Sequence, residues 1–330
     1  MPNTPVQDIP LVDIAGLFGD ASDARDNIVR DIESACHETG FMYIRGHGIG
    51  DRTIADIRHA VVAYFEQPLP IKLPDRIERT NYRGFIPPGF FGANEGDSEA
   101  DPYEGYKLHF EIDSDDPICA ACDLYGLNKW PVNPPGFRNA VLNYWSECDR
   151  VANVLLQALA TIMGVDAEKF LQQFEKPLTN MTLLNYPPQD SGSSRFGIHP
   201  HKDTDALTIL APDPVGGLMV RRSHQTEWIE AVCPGDALIV NTGDLLEIWS
   251  GGYFVSTPHK VVNLSGARRF SFPYFVVPRY DVVVEPLISP QPGFRRPRVH
   301  VGDVSREVWR TNWPDAVPET SRFELGTLQD

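Results

Sequence analysis

The chain has 330 residues, 42% of them hydrophobic, and a formal net charge of −16 at pH 7. That length and composition can supply a sizeable core in one large domain or two small ones. The acidic balance disfavours a phosphate backbone as partner and no run of about eighteen apolar residues offers a membrane span, so a small-molecule partner is expected, with no nucleic acid and no membrane.

The N-terminal stretch "MPNTPVQDIPLVDIAG" lacks the basic and apolar regions of a secretory leader, and a cytoplasmic setting is expected. Five scattered cysteines fit reduced thiols. Cys119 and Cys122 form a lone C-x-x-C, and without a second pair at zinc spacing they read as ordinary thiols in a loop.

In chain order, "DARDNIVRDIESACHETG" reads as a helix with Ile28, Ile32, Ala35 and Cys36 on one face and Gly40 as its stop. "FMYIRG" reads as a strand. "DRTIADIRHAVVAYFEQP" reads as a second helix, capped by Asp51, with Ile54, Ile57, Val61 and Phe65 along one side. Residues 80–135 are rich in Gly, Pro and Asp and read as long loops of the kind that often form lids. The longest helix is expected from Phe137 to Met163, with Val141, Trp145, Cys148, Val151, Leu155, Leu159 and Ile162 facing the core. A short helix, "AEKFLQQFE", follows behind Asp166 as its cap.

From residue 180 the apolar period changes to two. "MTLLNYPP", "DALTILAP", "GGLMVRR", "TEWIEAV", "DALIVNTGD", "GYFVSTPHKVVN" and "RRFSFPYFVVP" are short runs bounded by Gly, Pro and Asp. Such runs, with no helix between them, predict a jelly roll or barrel. The expected fold is mainly β with flanking helices: a double-stranded β-helix (jelly roll) core, α+β overall. Its segments are 1–135 (helix, strand and loop-rich), 136–178 (support helices), 179–290 (jelly-roll core) and 291–330 (a wrapping tail), in one integrated unit.

Within "GIHPHKDTDALTIL", His199, His201, Asp203 and Asp205 alternate. On a strand, residues i and i+2 share a face, so His201 and Asp203 can reach one ion. His259, at a strand start in "VSTPHKVVN", supplies a third ligand. Two imidazoles and one carboxylate form the facial triad of non-haem Fe(II) oxygenases. "HFE" at His109–Glu111 is a competing H-x-E. Ten residues past His259 come Arg269 and Ser271, which share a face on a strand. An arginine fork with a nearby hydroxyl suits a carboxylate ligand, although a salt bridge to a local carboxylate would also satisfy it.

With these motifs in place, the chain resembles the Fe(II)/2-oxoglutarate-dependent dioxygenases of the isopenicillin-N-synthase-like group. "IPLVDIAG" and "ACHETGFMYIRGHGI" resemble the family's N-terminal region. "HKDTDALTIL", "GGLMV", "PGDALIVNTGDLLEIWSGGYFVSTPHKVVN" and "RRFSFPYFVVP" resemble its core in order and spacing. The resemblance implies Fe(II) on His201, Asp203 and His259, with 2-oxoglutarate and O2 as co-substrates. It implies Arg269, Ser271 and Tyr186 on the distal carboxylate of 2-oxoglutarate. It also implies oxidative decarboxylation to succinate and CO2, coupled to hydroxylation or a related oxidation of a small molecule. The chain departs from the family pattern at Asp205, where a small residue is common, and at His199.

Candidate substrate contacts are Phe90, Phe91, Lys107, His109, His199, Trp249 and Phe275. The polar ones, if they reach the pocket, favour a substrate with a carboxylate or other polar handle. Three alternatives keep the fold: an iron oxidase that does not use 2-oxoglutarate as co-substrate, an ethylene-forming variant, and a non-catalytic jelly-roll binding protein.

Overall fold

The structure is a computed structural model and describes residues 9–19, 22–90, 102–188, 197–222, 226–262, 266–311 and 313. Fifteen short strands are present among them: β1 (Leu11–Asp13), β2 (Phe41–Arg45), β3 (Gly84–Ile86), β4 (Glu104–His109), β5 (Asn180–Tyr186), β6 (Ile198–His201), β7 (Leu207–Leu210), β8 (Leu218–Val220), β9 (Ile229–Glu230), β10 (Leu238–Thr242), β11 (His259–Val261), β12 (Arg269–Ser271), β13 (Tyr274–Val276), β14 (Val283–Val284) and β15 (Val299–His300). The α-helices are α1 (Ser22–Glu38), α2 (Asp51–Phe65), α3 (Leu69–Lys72), α4 (Pro117–Ala121), α5 (Phe137–Ile162), α6 (Ala167–Gln172), α7 (Asp244–Trp249) and α8 (Val301–Thr311).

Two sheets face each other. The larger runs β1-β2-β10-β7-β13-β5-β4-β3, with β12 beside β13 along the same edge of β5; the smaller runs β6-β11-β8-β9. Side chains alternate across a pleated strand, and here the two faces of the larger sheet have different partners. Met42, Leu108, Met181, Leu183, Ile209, Val240 and Tyr274 join the core that α5 also lines. Phe41, Tyr43, Leu184, Tyr186, Leu210 and Ile239 point the other way, into a second core with Leu218, Val220 and Val261 of the smaller sheet. The site lies on that second face.

The helices follow their sequence patterns closely. In α5, Val141, Trp145, Cys148, Val151, Leu155 and Leu159 are buried. Asp166 caps α6, its Oδ1 accepting from Lys169 N at 3.0 Å. Gly40 ends α1 at φ +64°, and a Cβ there would lie 2.2 Å from Val255 O, so a side chain is excluded on both counts. Asp51 differs from expectation: Gly50 occupies the cap position and Asp51 lies in the first turn.

Four further expectations need correction. The loop-rich segment contains β3 and β4, and β4 pairs with β5 over six residues, from Glu104↔Asn185 to His109↔Asn180. Helix α7 interrupts the β region; its "DLLEIW" buries Leu245, Leu246, Ile248 and Trp249, and that apolar run conceals a helix within strand-like surroundings. "RRFSFPYFVVP" breaks into β12 and β13 at Pro273, which has no N–H for the ladder. The tail beyond Pro290 contains β15 and α8. No helix among the described residues is long and apolar enough to cross a membrane.

Candidate active site

The alternating motif does not lie on one strand. β6 ends at His201, and Asp203 lies in the turn that leads to β7. Convergence comes from pairing: His259, first residue of β11, stands opposite His201 in the antiparallel ladder. The two imidazole centroids are 4.4 Å apart. Asp203 Oδ1 lies 3.7 Å from His201 Nε2 and 3.6 Å from His259 Nε2. Among the described residues, these three form the one group of three or more metal-capable side chains whose donor atoms lie within 4.8 Å of one another.

The far side of each of these three side chains is fixed by the protein. His201 Nδ1 meets the His199 carbonyl at 2.8 Å, and His259 Nδ1 meets the Thr257 carbonyl at 3.2 Å. A carbonyl only accepts, so each Nδ1 donates, and Nε2 is the ring atom that faces Asp203 Oδ1. Asp203 Oδ2 accepts from Thr208 Oγ1 at 2.5 Å and Asn241 Nδ2 at 2.8 Å. Burial alone would raise the Asp203 carboxyl, but His259, His201 and these two hydrogen bonds hold it below the usual range. Two imidazoles and a carboxylate, each oriented by a second partner, fit a divalent first-row metal.

The turn that carries Asp203 is clamped by α7. Asp244 N donates to Asp203 O at 2.8 Å and Leu245 N to Asp205 O at 3.0 Å. Gly243 makes this approach possible, since a Cβ there would lie 2.1 Å from Asp205 Oδ1. Arg296 binds α7 from outside, with Nη1 3.2 Å from Asp244 Oδ2 and Nη2 3.1 Å from Glu247 Oε2. Asp205 is a buried neighbour of the triad. Burial, then the Asp203 charge, pushes its carboxyl well above the usual range. Its Oδ2 lies 2.8 Å from Thr208 Oγ1. The Thr208 hydroxyl thus stands between one oxygen of Asp203 and one of Asp205.

Arg269 is paired with Tyr186 across β12 and β5, and Ser271 with Leu184. Arg269 is 3% exposed, its guanidinium lies 4.9 Å from the Tyr186 ring centroid, and its Nε donates to Gly216 O at 2.7 Å. Its buried Nη1 has no partner among the described residues. Ser271 is buried on the same face. A buried guanidinium with a free donor suits an anion.

The candidate substrate contacts separate into groups. Lys107 Nζ donates to Asn180 Oδ1 at 2.6 Å and Thr182 Oγ1 at 2.9 Å, and lies 5.3 Å from the Phe275 ring centroid. Burial lowers its pKa to about 7, opposed by the charges of Asp203 and Asp205. His109 is buried two residues along the same face, and burial, then Arg83 and Lys107, pushes its ring well below the usual range. His199 lends its carbonyl to His201. Phe90 packs into a separate cluster with Ile77, Tyr82, Ile86, Trp309 and Trp313. Phe91 lies outside the described residues. Trp249 is fully buried at the end of α7 against Phe170 and Phe174, so it belongs to the helical core and not to the pocket. The competing H-x-E does not assemble a metal site: Glu111 instead accepts from Asn128, Trp130 and Arg138. Cys122 receives a contact from Arg306 Nη2 at 3.5 Å, and Cys119 faces Asp113 O.

Thr208, Asn241 and Asp244 are the site residues that side-chain chemistry in the sequence did not single out. Asn241 and Asp244 stand in "NTGD", beside a glycine whose packing forbids a side chain, and that was their one local signal.

Residues 178–278 match the 2OG-Fe(II) oxygenase superfamily, and residues 9–133 match the non-haem dioxygenase in morphine synthesis N-terminal family. The chain is 30% identical over 308 residues to a probable iron/ascorbate oxidoreductase of Dictyostelium discoideum, covering 84% of each. It is 30% identical over 298 residues to a homoarginine-6-hydroxylase of Glycine max, covering 86% of this chain and 89% of that one. Among solved structures it resembles JOX2 in complex with 2OG, Fe and JA, at a TM-score of 0.76 and 27% identity, covering 92% of this chain and 85% of that one.

Proposed function

Since this chain belongs to the 2OG-Fe(II) oxygenase superfamily, we propose that His201, Asp203 and His259 hold the iron of a 2-oxoglutarate-dependent oxygenase and that Arg269 anchors the co-substrate. Iron(II) held there would supply the oxygen chemistry, in which decarboxylation of 2-oxoglutarate to succinate and CO2 accompanies hydroxylation or a related oxidation of a small molecule. The observation that carries the reading is the convergence of two Nε2 atoms and Asp203 Oδ1, with every opposite edge already hydrogen-bonded.

The chain's own residues have separate tasks. The His199 and Thr257 carbonyls set the imidazole tautomers, while Thr208 and Asn241 hold the carboxylate still. Arg269 offers Nη1 to the distal carboxylate of 2-oxoglutarate, with Ser271 and Tyr186 on the same face beside it. The apolar side chains between the sheets keep water from the reacting centre. β4, from the segment 1–135, brings Lys107 and His109 to this face of the 179–290 core. The relatives' printed names, a hydroxylase of homoarginine and a complex with JA, support a small-molecule substrate. Five free thiols fit a reducing compartment, and the reading places the enzyme in the cytoplasm.

The test is a small-molecule library screened on protein loaded anaerobically with Fe(II) and 2-oxoglutarate, then exposed to O2, with succinate as readout. Succinate in a substrate-free control, and more with a true substrate, is expected. No succinate with any compound, from protein that binds iron, would favour an oxidase that does not use 2-oxoglutarate. Ethylene in the headspace would identify the ethylene-forming variant. Failure to bind Fe(II) at all would leave a non-catalytic binding protein.

A further inference from the structure

On the reading above, the co-substrate takes the anion position at Arg269, and a second cationic position on the same face then has no anion. We propose that Lys107 binds a carboxylate of the substrate, so that this enzyme oxidises a small organic acid.

The sheet register places Lys107. Cross-strand partners share a face, and one row runs Thr208↔Phe275↔Asn180↔His109 across β7, β13, β5 and β4. Thr208 begins that row and holds Asp203. Lys107 stands in the adjacent row opposite Thr182, and its Nζ reaches back to Asn180. Asn180 and Thr208 are separated by two strand spacings, ~10 Å. A molecule of a few carbon atoms would span from the ammonium to the iron position.

The charge balance argues for an occupant. An ammonium has three donors, and two of them meet the neutral acceptors Asn180 Oδ1 and Thr182 Oγ1. Lys107 has no carboxylate ion pair among the described residues. Lys72 is the contrasting case: it is buried, and its Nζ lies 2.6 Å from Glu104 Oε2. A half-buried ammonium with no carboxylate in direct contact, and only the more distant charges of Asp203 and Asp205 against its desolvation, is unfavourable.

Neighbouring side chains reinforce the imbalance. Arg83 is 2% exposed and, among the described residues, donates to Asn81 Oδ1 and Leu124 O. Neither ring nitrogen of buried His109 has a hydrogen bond among the described residues, although the Tyr82 backbone lies close enough to favour its protonated form. Arg83 thus adds a buried positive charge beside Lys107 in a chain whose net charge is −16.

The position differs from that of the co-substrate. Arg269 stands opposite Tyr186 and Lys107 opposite Thr182, four residues apart on β5, or ~13 Å at the rise of a strand. A single small dianion held on the iron would not satisfy both cations. The rings near Lys107 and His109 are Phe275 and Trp309, which suits an acid with an apolar body.

The test compares phenylacetate, 4-phenylbutyrate and decanoate with their primary amides, by calorimetry on anaerobic protein holding Fe(II) and 2-oxoglutarate. At least one acid should bind wild-type protein at least tenfold more tightly than its amide. Lys107→Met should bring the pair to parity, and Lys107→Arg should restore part of the preference. Parity in the wild type, no acid bound, or a preference that survives in Lys107→Met would overturn the proposal. The wild-type comparison decides even if a variant fails to fold. Succinate formation by the wild type under O2, alone and with each compound, is measured alongside: its absence in every case with the acid preference intact would sink the 2-oxoglutarate reading and leave the acid site standing.

Discussion

Thr208 Oγ1 lies 2.5 Å from Asp203 Oδ2, on the carboxylate oxygen not shared with His201 and His259. The oxygen that faces the two imidazoles and the restrained oxygen are therefore different atoms of one side chain. Thr208→Val keeps the shape and removes that donor, leaving Asn241 alone on Oδ2. Iron(II) affinity should fall roughly ten- to a hundredfold, as for other partners of metal ligands. Anaerobic iron titration measures this, and Thr208→Ser should recover most of the loss. Unchanged affinity in a folded Thr208→Val protein would show that Asp203 needs no such support.

Arg269 is expected to act on 2-oxoglutarate and not on iron. One charge-assisted hydrogen bond contributes about 1.5–3 kcal/mol, or roughly ten- to over a hundredfold in affinity. Arg269→Ala should raise the KM for 2-oxoglutarate at least that far while iron affinity stays within a few-fold of wild type. Arg269→Lys should recover little, because an ammonium lacks the planar fork. An unchanged KM would remove Arg269 from the co-substrate site.

The residue types at this site were legible in the sequence, but the contacts that unite them were not. His201, Asp203 and His259 were candidates from spacing and became iron ligands through the family resemblance, yet the strand rule invoked for His201 and Asp203 does not apply, since Asp203 lies beyond the end of β6. The register His259↔His201 brings the triad together across 58 residues of chain, and no local pattern encodes it. Arg269 and Ser271 were easier, because both lie on β12 and the i, i+2 rule holds there. β4 was concealed by the glycines and prolines around it, and with it went the reason Lys107 faces the site. Trp249 misled because its neighbours in sequence belong to the site, while α7 turns its side chain into the opposite core.

Trp249 therefore separates stability from recognition. Its ring packs at 5.0 Å from Phe170 and 5.8 Å from Phe174, centroid to centroid, and its indole N–H is buried with no partner among the described residues. Trp249→Ala should cost about 3–5 kcal/mol in unfolding free energy. Trp249→Phe keeps an aromatic ring and removes the unpaired donor, so its cost should be about 1–2 kcal/mol at most. Denaturant unfolding checks both. If Trp249→Phe altered the ranking of substrates while leaving stability intact, the assignment of Trp249 to the core would fail.

Lys107 gives the pocket a pH dependence near neutrality. Burial brings its pKa from 10.5 down to about 7, against the opposing pull of Asp203 and Asp205. Between those two values the unfolded chain binds a proton that the folded chain does not, so stability rises with pH through that window. The cost of the confined ammonium is fully present below about 7. Recognition of a carboxylate runs the other way, because it needs the ammonium. The acid-over-amide preference should be largest below pH 7 and shrink as pH rises above it, while amide affinity stays level. The ligand carboxylates are ionised throughout this range and contribute no slope of their own. Calorimetric titration at half-unit pH steps, with Lys107→Met as control, reads the effect. A preference as large at pH 9 as at pH 6, or a slope that persists in Lys107→Met, would place the recognising charge on another residue.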